Sequence, residues 1–179
     1  ASLSDVSTAS AGGDIILQTE DGEITLNDGD GNGDSILADG DGKIRIESAG
    51  AGNSIIFNAN IQSTSGAITL LAASNISQNA NIETSGTVDV EATNGSLSMQ
   101  SGTSTTATDS NIKVFGAGDL ALGLLNAGNA HVSLFSTNGD ISDADANSNP
   151  NVIASDLRIE TTGNIGVATE HLDLNISNL

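Results

Sequence analysis

Glycine stands two residues before an Ile, Val or Leu at places spread along the whole chain. A further apolar residue usually follows two positions later, as with Gly86, Val88 and Val90. Apolar residues at period two lie on one face of a strand, so each pattern predicts a turn glycine that leads into a short, half-buried strand. The glycines in this position are Gly13, Gly22, Gly42, Gly66, Gly86, Gly95, Gly118, Gly139 and Gly163.

The core of such a protein must be narrow. The 179 residues include 21 glycines and three phenylalanines, but no cysteine, tryptophan or tyrosine. A compact domain of this length usually fills its core with aromatic side chains, whereas solenoids have thin cores of stacked aliphatic residues. Disorder is the alternative for an acidic chain rich in Gly, Ser and Asn, but 37% apolar residues in strict alternation argue against it.

Two apolar ladders support a solenoid, because solenoid strands recur at a fixed period. Successive members are 19–25 residues apart, and a partial third position occurs at Ile61 and Ile82. The first ladder comprises Ile24, Ile44, Ile68, Val88, Ile112, Val132 and Leu157, and the second comprises Ile15, Ile36, Ile55, Ile76, Leu97, Leu120, Ile141 and Ile165.

Three short strands per turn predict an all-β fold, a single-stranded, parallel, right-handed β-helix of about eight coils with 20–24 residues each. We expect residues 1–179 to form one segment of a longer repetitive protein, with 1–12 as a disordered or capping lead-in. A β-sandwich is the alternative. The polar run 101–108 is either a third-position strand or a loop, and 143–150 is an excursion; both are expected on the outside.

The charge is strongly acidic, with four Lys/Arg against 23 Asp/Glu and a net charge of −19. Nothing in such a chain neutralises phosphate, so nucleic acid and anionic membranes are excluded as partners, and cations are favoured. No run of residues approaches the length of about 20 apolar residues that spans a bilayer, so no membrane insertion is expected.

One acidic segment predicts a calcium site. Asp28, Asp30, Asn32, Asp34 and Asp39 stand at the spacing at which carboxylates and amides wrap a calcium ion in a glycine-containing loop. The twelfth position carries Asp39 in place of the usual glutamate, and no helices flank the loop. The alternative is a solvated Gly/Asp turn between two strands.

A second, weaker metal candidate comprises Asp143, Asp145 and Asn147, and its alternative is an exposed loop.

Enzyme activity is not expected. Lys43 and Arg45 share one strand, where outward cations usually blunt an exposed surface. The two histidines are 40 residues apart and each precedes an inward residue, so both are expected on the surface as isolated groups.

The second half of the chain resembles a known family. Residues 123–128 (Gly-Leu-Leu-Asn-Ala-Gly), 138–145 and 152–159 are similar to repeats of filamentous-haemagglutinin-type large exoproteins and giant adhesins of Gram-negative bacteria. The resemblance covers about residues 40 to 179 and implies a right-handed β-helical stalk of a secreted surface protein used in adhesion or biofilm formation. It implies an extracellular location on the cell surface.

Two functional hypotheses follow. The first is a structural stalk, whose partners are the neighbouring repeats of the same polypeptide. The second is a binding or self-assembling module that contacts a surface glycan, a receptor or a second copy end to end. Sugar sites usually need exposed aromatic rings, and Phe57, Phe115 and Phe135 are expected in or near the core, which favours the stalk.

Overall fold

The computed structural model describes residues 1–9, 12–145, 147–167 and 170–178, and within these ranges the regular structure consists of strands alone. The strands form three sheets in which each strand pairs in parallel with the strands of the preceding and following turns. The chain is therefore a right-handed parallel β-solenoid, as predicted, with about seven turns where about eight were expected. A sandwich of antiparallel hairpins is excluded by the parallel registers.

Each turn contributes one strand to each sheet, and the strands are numbered in chain order. Sheet 1 holds β1 (Ser2–Ser4), β4 (Ile24–Asn27), β7 (Ile55–Phe57), β10 (Ile76–Gln78), β13 (Leu97–Met99), β16 (Leu120–Leu122) and β19 (Ile141–Asp143). Sheet 2 holds β2 (Val6–Ser7), β5 (Asp34–Ala38), β8 (Asn60–Ser63), β11 (Ile82–Thr84), β14 (Ser104–Ala107), β17 (Leu124–Asn126), β20 (Val152–Ala154) and β22 (Leu174–Ile176). Sheet 3 holds β3 (Ile15–Thr19), β6 (Ile44–Ser48), β9 (Ile68–Ala72), β12 (Val88–Ala92), β15 (Ile112–Gly116), β18 (His131–Ser136) and β21 (Asp156–Thr161).

The ladders are correct except at their first members. Ile15 begins the sheet 3 ladder and pairs with Ile44, while Ile24 begins the sheet 1 ladder and pairs with Ile55. Ile36 belongs to neither, because it lies in sheet 2 opposite Ile61. The first full turn is long, with 29 residues from Ile15 to Ile44, so counting at the usual period reached the wrong strand. The third position at Ile61 and Ile82 is confirmed as sheet 2.

The lead-in and the polar run both contain strands. The described part of residues 1–12 contains β1 and β2, which start sheets 1 and 2. Within 101–108, β14 places Thr105 on the buried ladder between Ile82 and Leu125. The Thr105 hydroxyl donates to Gln78 Oε1 (3.1 Å), and Gln78 Nε2 donates to the Ser104 carbonyl (3.0 Å). A satisfied polar pair thus replaces an apolar contact in the core, and the run is not an outer loop.

Eight of the nine strand-leading glycines are explained by close approach, since a Cβ on any of them would lie within 3 Å of another atom; the exception is Gly22. A Cβ on Gly66 would lie 1.9 Å from the Gly42 carbonyl oxygen, and one on Gly139 would lie 2.3 Å from the Gly118 carbonyl carbon. Of the nine glycines only Gly22 has a positive φ, so unusual backbone angles, the ordinary reason for glycine at a turn, do not explain the pattern.

The glycines form two columns at two corners of the solenoid. Gly13, Gly42, Gly66 and Gly86 precede strands of sheet 3, and we name this corner 2–3. The glycines that precede sheet 1 define corner 3–1: Gly22, Gly95, Gly118, Gly139 and Gly163. Buried hydroxyl groups connect glycines of successive turns by hydrogen bonds. For example, Thr84 Oγ1 donates to the Gly66 carbonyl (2.7 Å) and accepts from Gly86 N (2.9 Å).

The core is a thin stack of aliphatic residues. In sheet 1, the ladder residues from Ile24 to Ile141 are at most 2% exposed. Phe57 is the one fully buried aromatic residue of the described chain. Asparagine side chains form a ladder outside it, since Asn79 Nδ2 donates to Asn58 Oδ1 (2.8 Å) and Asn58 Nδ2 to Asn27 Oδ1 (2.9 Å). Within the described residues no helix is long and apolar enough to cross a membrane.

Candidate functional sites: two acidic loops and a phenylalanine face

Both predicted metal segments leave the solenoid at the same corner, between sheets 1 and 2. Residues 28–33 connect β4 to β5, and residues 144–151 connect β19 to β20. We name this corner 1–2. Because the glycine columns lie at the other two corners, these loops extend into solvent without separating the stacked turns.

The first loop is held by its own carboxylates. Gly31 N donates to Asp28 Oδ1 (2.6 Å) and Gly33 N donates to Asp28 Oδ2 (2.9 Å). Asn32 N donates to Asp30 Oδ1 (3.0 Å). Both oxygens of Asp28 therefore accept backbone hydrogen bonds, and the loop has a defined conformation from the chain alone.

The structure does not bring the five predicted ligands together. Asp34 begins β5, and its Oδ1 accepts a hydrogen bond from Gln62 Nε2 (2.7 Å) of the next turn. Asp39 follows β5 at corner 2–3, where its Oδ1 accepts from Gly40 N (2.8 Å). Asp28, Asp30 and Asn32 remain together in the loop, and the other two lie at the two ends of a strand.

A residue that the sequence argument missed completes the acidic cluster. Asp5, in the turn below, has a carboxylate oxygen within 4.8 Å of those of Asp28 and Asp30, and all three side chains are exposed. Gly29 N donates to Asp5 Oδ1 (3.1 Å). The pairing of Ser4 with Asn27 creates this contact, and that register could not be derived across the long first turn. Calcium binding here stays a prediction.

The second loop is organised around Asp143. Its Oδ1 accepts hydrogen bonds from Asp145 N (2.9 Å) and from Asn151 Nδ2 (2.8 Å). Burial raises the pKa of Asp143, but these hydrogen bonds outweigh it and leave the pKa below its ordinary value. Asn147 bonds instead to Asn149 N (2.6 Å), so the loop does not direct the three predicted side chains to one point.

Asn151 is the second residue that sequence reasoning missed. It is 1% exposed, its Nδ2 donates to the Leu122 carbonyl (3.0 Å), and its Oδ1 accepts from Asp173 N (2.9 Å). It therefore ties three turns together where the loop rejoins the solenoid. Its position directly after the only proline, Pro150, is the signal that marks the return to the stack.

The prediction that all three phenylalanines lie in or near the core is wrong for two of them. Phe57 is fully buried, whereas Phe115 and Phe135 are partly buried and lie on the outer face of sheet 3. They stand opposite each other in the paired strands β15 and β18. Alternation explains this, because Val114 and Leu134 point inward and their neighbours must point outward.

The same outer face carries three of the four cations of the chain, each paired with an acid. Arg45 pairs with Glu47 (2.8 Å) and Arg158 with Glu160 (2.9 Å). In the third pair, Lys113 contacts Glu91 directly and lies 3.5 Å from Asp89. The hydrogen bond to Glu91 raises the pKa of Lys113, and burial is the main cause that raises the pKa of Asp89. The Arg158 guanidinium carbon lies 4.9 Å from the centre of the Phe135 ring, a cation–π contact.

The histidines lie on the surface, as predicted. Their side chains are 60% and 82% exposed, and each is near one carboxylate: His131 Nδ1 is 3.0 Å from Asp156 and His171 Nε2 is 3.4 Å from Asp173. The two pairs belong to different parts of the last turns.

Comparison with known proteins adds no relative: no protein-family model matches the chain, and neither a curated protein nor a solved structure matches it.

Proposed function

We propose that the chain is a non-catalytic structural stalk of a secreted bacterial surface adhesin that supports adhesion or biofilm formation. The observation that carries the proposal is the uninterrupted stacking of three parallel sheets along the described chain. Each turn contacts only the turns next to it, so the fold supplies length and stiffness in proportion to the number of turns.

The exposed edge of the last turns supports a role as one part of a longer stack. Ile165, Val167 and Leu174 are 52%, 54% and 43% exposed, whereas Leu120 and Ile141 in the preceding turns of sheet 1 are fully buried. A further turn would remove these apolar side chains from water. Neighbouring repeats of the same polypeptide are the partner that we propose for this edge.

The charge and composition agree with an extracellular role on a Gram-negative cell. A net charge of −19 keeps rods apart in solution and gives no affinity for anionic membranes or nucleic acid. The resemblance of residues 40 to 179 to haemagglutinin-type repeats points to the same location.

The test uses the complete protein in the cells that produce it. Antibodies against the 179-residue segment should label intact, unpermeabilised cells. Replacement of the segment by a flexible Gly/Ser linker of equal residue number should reduce attachment under flow severalfold. Such a linker has a root-mean-square span of about 70 Å, longer than the rod of about 35 Å, but it does not hold the parts at its two ends at a fixed distance and direction. Labelling only after permeabilisation, or unchanged attachment, would contradict the proposal.

A binding or self-assembling module is the second candidate, and two observations favour it. The outward Phe115 and Phe135 remove the main argument against glycan binding. The exposed strand edge that carries Leu174 would also allow end-to-end pairing of copies. Sedimentation at increasing protein concentration distinguishes the two, since filaments lengthen with concentration and a glycan-binding monomer does not.

A further inference from the structure

The outer face of sheet 3 contains an open groove of about 570 Å³ between the last three turns. Phe115 and Phe135 form its apolar wall, and Lys113, Glu160 and two threonines, Thr137 and Thr162, supply polar groups. A concave surface of a few hundred Å³ with an apolar wall and a few polar groups has the size and chemistry of a small-ligand site.

We propose that this groove binds an uncharged glycan chain. The proposal goes beyond the stalk function and does not depend on it. The first observation that supports it is the position of the aromatic residues. The chain has three, and two of them, Phe115 and Phe135, stand side by side on an outer face. The apolar C–H face of a sugar ring packs against the face of an aromatic ring, and few other surface residues offer that contact.

The Phe135 ring contacts Arg158, whose guanidinium carbon lies 4.9 Å from the ring centre and which is itself bonded to Glu160 (2.9 Å). Phe115 lies directly opposite Phe135 on the neighbouring strand. The two rings therefore form an apolar strip along the solenoid axis, with the strand spacing of about 4.8 Å between their backbones.

Polar groups beside the strip suit sugar hydroxyls. Thr162 Oγ1 donates to the Thr137 carbonyl (2.8 Å) and Thr137 Oγ1 to the Ala117 carbonyl (3.3 Å), so both hydroxyl oxygens can accept hydrogen bonds. The ion-paired carboxylate of Glu160 accepts hydrogen bonds from hydroxyls, and the Lys113 ammonium donates hydrogen bonds to them. A polyol can satisfy these acceptors and donors in alternation along its length.

The negative charge of this face favours an uncharged glycan over an anionic glycan or a second copy of the chain. Lys113 and Arg158 are both paired, and the three acids beside them, Asp89, Glu91 and Glu160, leave the local charge negative. A sulfated or carboxylated glycan would find no free cation. A second copy of this chain would bring another −19 of charge to the same face, which disfavours a lateral dimer.

The test is a glycan array of neutral and anionic oligosaccharides, followed by calorimetric titration of the strongest neutral binder. The proteins are the wild type, Phe115→Ala, Phe135→Ala and, as a control, Leu71→Ala, which removes an outward residue at the same strand position two turns from Phe115 and three from Phe135. Thermal unfolding followed by circular dichroism checks that each variant folds. We expect saturable binding of a neutral glycan, at least tenfold weaker binding in each phenylalanine variant, and a less than twofold change in the control.

Three results would overturn the proposal: no neutral glycan bound, equal binding by folded phenylalanine variants, or binding confined to anionic glycans. A fourth is a dimer of the wild type in sedimentation that the phenylalanine variants lose, which would make the face an interface between copies. Each of these results leaves the attachment test of the stalk untouched.

Discussion

Corner 3–1, which carries a glycine column, and corner 1–2 follow different rules. At corner 3–1, three to six residues connect successive strands of sheets 3 and 1, as in 73–75 and 49–54. At corner 1–2 the connection varies from one residue, Gly123, to the eight residues 144–151. In sheets 1 and 3 a glycine often stands two residues before the inward ladder residue. In the described strands of sheet 2 this happens once, where Gly123 stands two residues before Leu125.

Backbone contact between turns explains the difference. Where glycines stack, the backbone of one turn occupies the space that a Cβ on the glycine of the next turn would need, so no side chain fits there. Corner 1–2 is joined instead by side chains such as the ladder of Asn27, Asn58 and Asn79. A loop can replace one member of such a ladder without moving the sheets, so this corner accommodates the acidic segments.

The largest effect is expected from Gly66→Ala. A Cβ there would lie 1.9 Å from the Gly42 carbonyl oxygen, which is backbone and cannot rotate away. We expect a loss of about 3 kcal/mol in the free energy of unfolding, because the turns must separate and weaken neighbouring strand pairs. Urea unfolding followed by circular dichroism measures it.

Ala130→Gly is the matched control. Ala130 stands two residues before Val132, so it occupies the corresponding place in a later turn where a Cβ is already accommodated. We expect a loss below about 1 kcal/mol from backbone entropy. Equal losses in the two variants would show that close approach is not what selects glycine in this column.

A smaller effect is expected from Thr84→Val. Thr84 is 2% exposed, and its hydroxyl serves both the Gly66 carbonyl and Gly86 N. Valine keeps the shape and leaves a buried acceptor and donor without this partner, at a cost of about 2 kcal/mol. Thr84→Ser keeps the hydroxyl and should lose less than half as much. If valine is as stable as threonine in urea, the hydroxyl does not bind the column together.

Alternation predicted the fold class and the ladders beyond the first turn, but the prediction for Phe115 and Phe135 was wrong. It predicted Ile61 and Ile82 as a third position, and it also places Phe115 outside once Ile112 and Val114 are inside. Alternation could not predict which side chains of different turns contact each other. Asp5 meets Asp28 only through the register of β1 on β4, and an unusually long turn hides that register from any count of residues.

A pH-dependent effect is expected at the second acidic loop. The pKa of Asp143 is lower in the folded chain than its ordinary value of 3.8, so ionised Asp143 stabilises the fold above about pH 4 and this contribution disappears as pH falls through the lower, folded pKa. Asp143→Asn should therefore lose stability at pH 7, by less than about 1 kcal/mol because the side chain is partly exposed. At pH 2 the variant and the wild type should unfold at the same urea concentration.

Glu83→Gln is the control for that experiment. Glu83 is an exposed residue of β11, in an earlier turn than the second acidic loop. The stability of this variant should change equally little at pH 7 and pH 2. A difference between Asp143→Asn and the wild type that is as large at pH 2 as at pH 7 would assign the loss to packing and not to charge.

An effect of similar size is expected from calcium at the first acidic loop. Three exposed carboxylates, those of Asp5, Asp28 and Asp30, converge within 4.8 Å, and their repulsion is relieved by a divalent cation. Sites in extracellular modules bind with a Kd of about 10⁻⁴–10⁻³ M, so about 1 mM calcium should stabilise the fold by about 0.4 to 1.4 kcal/mol. Thermal unfolding in chelator and in calcium measures the difference.

The two acidic loops provide the control for calcium, because they share a corner but differ in the convergence of their carboxylates. Asp5→Asn should abolish the calcium-dependent rise in the melting temperature, since it removes one of the three converging groups. Asp145→Asn should leave the rise intact. If the wild type melts at the same temperature in chelator and in calcium, the hydrogen bonds from Gly31 and Gly33 to Asp28 are sufficient to hold this loop, and it is a solvated turn.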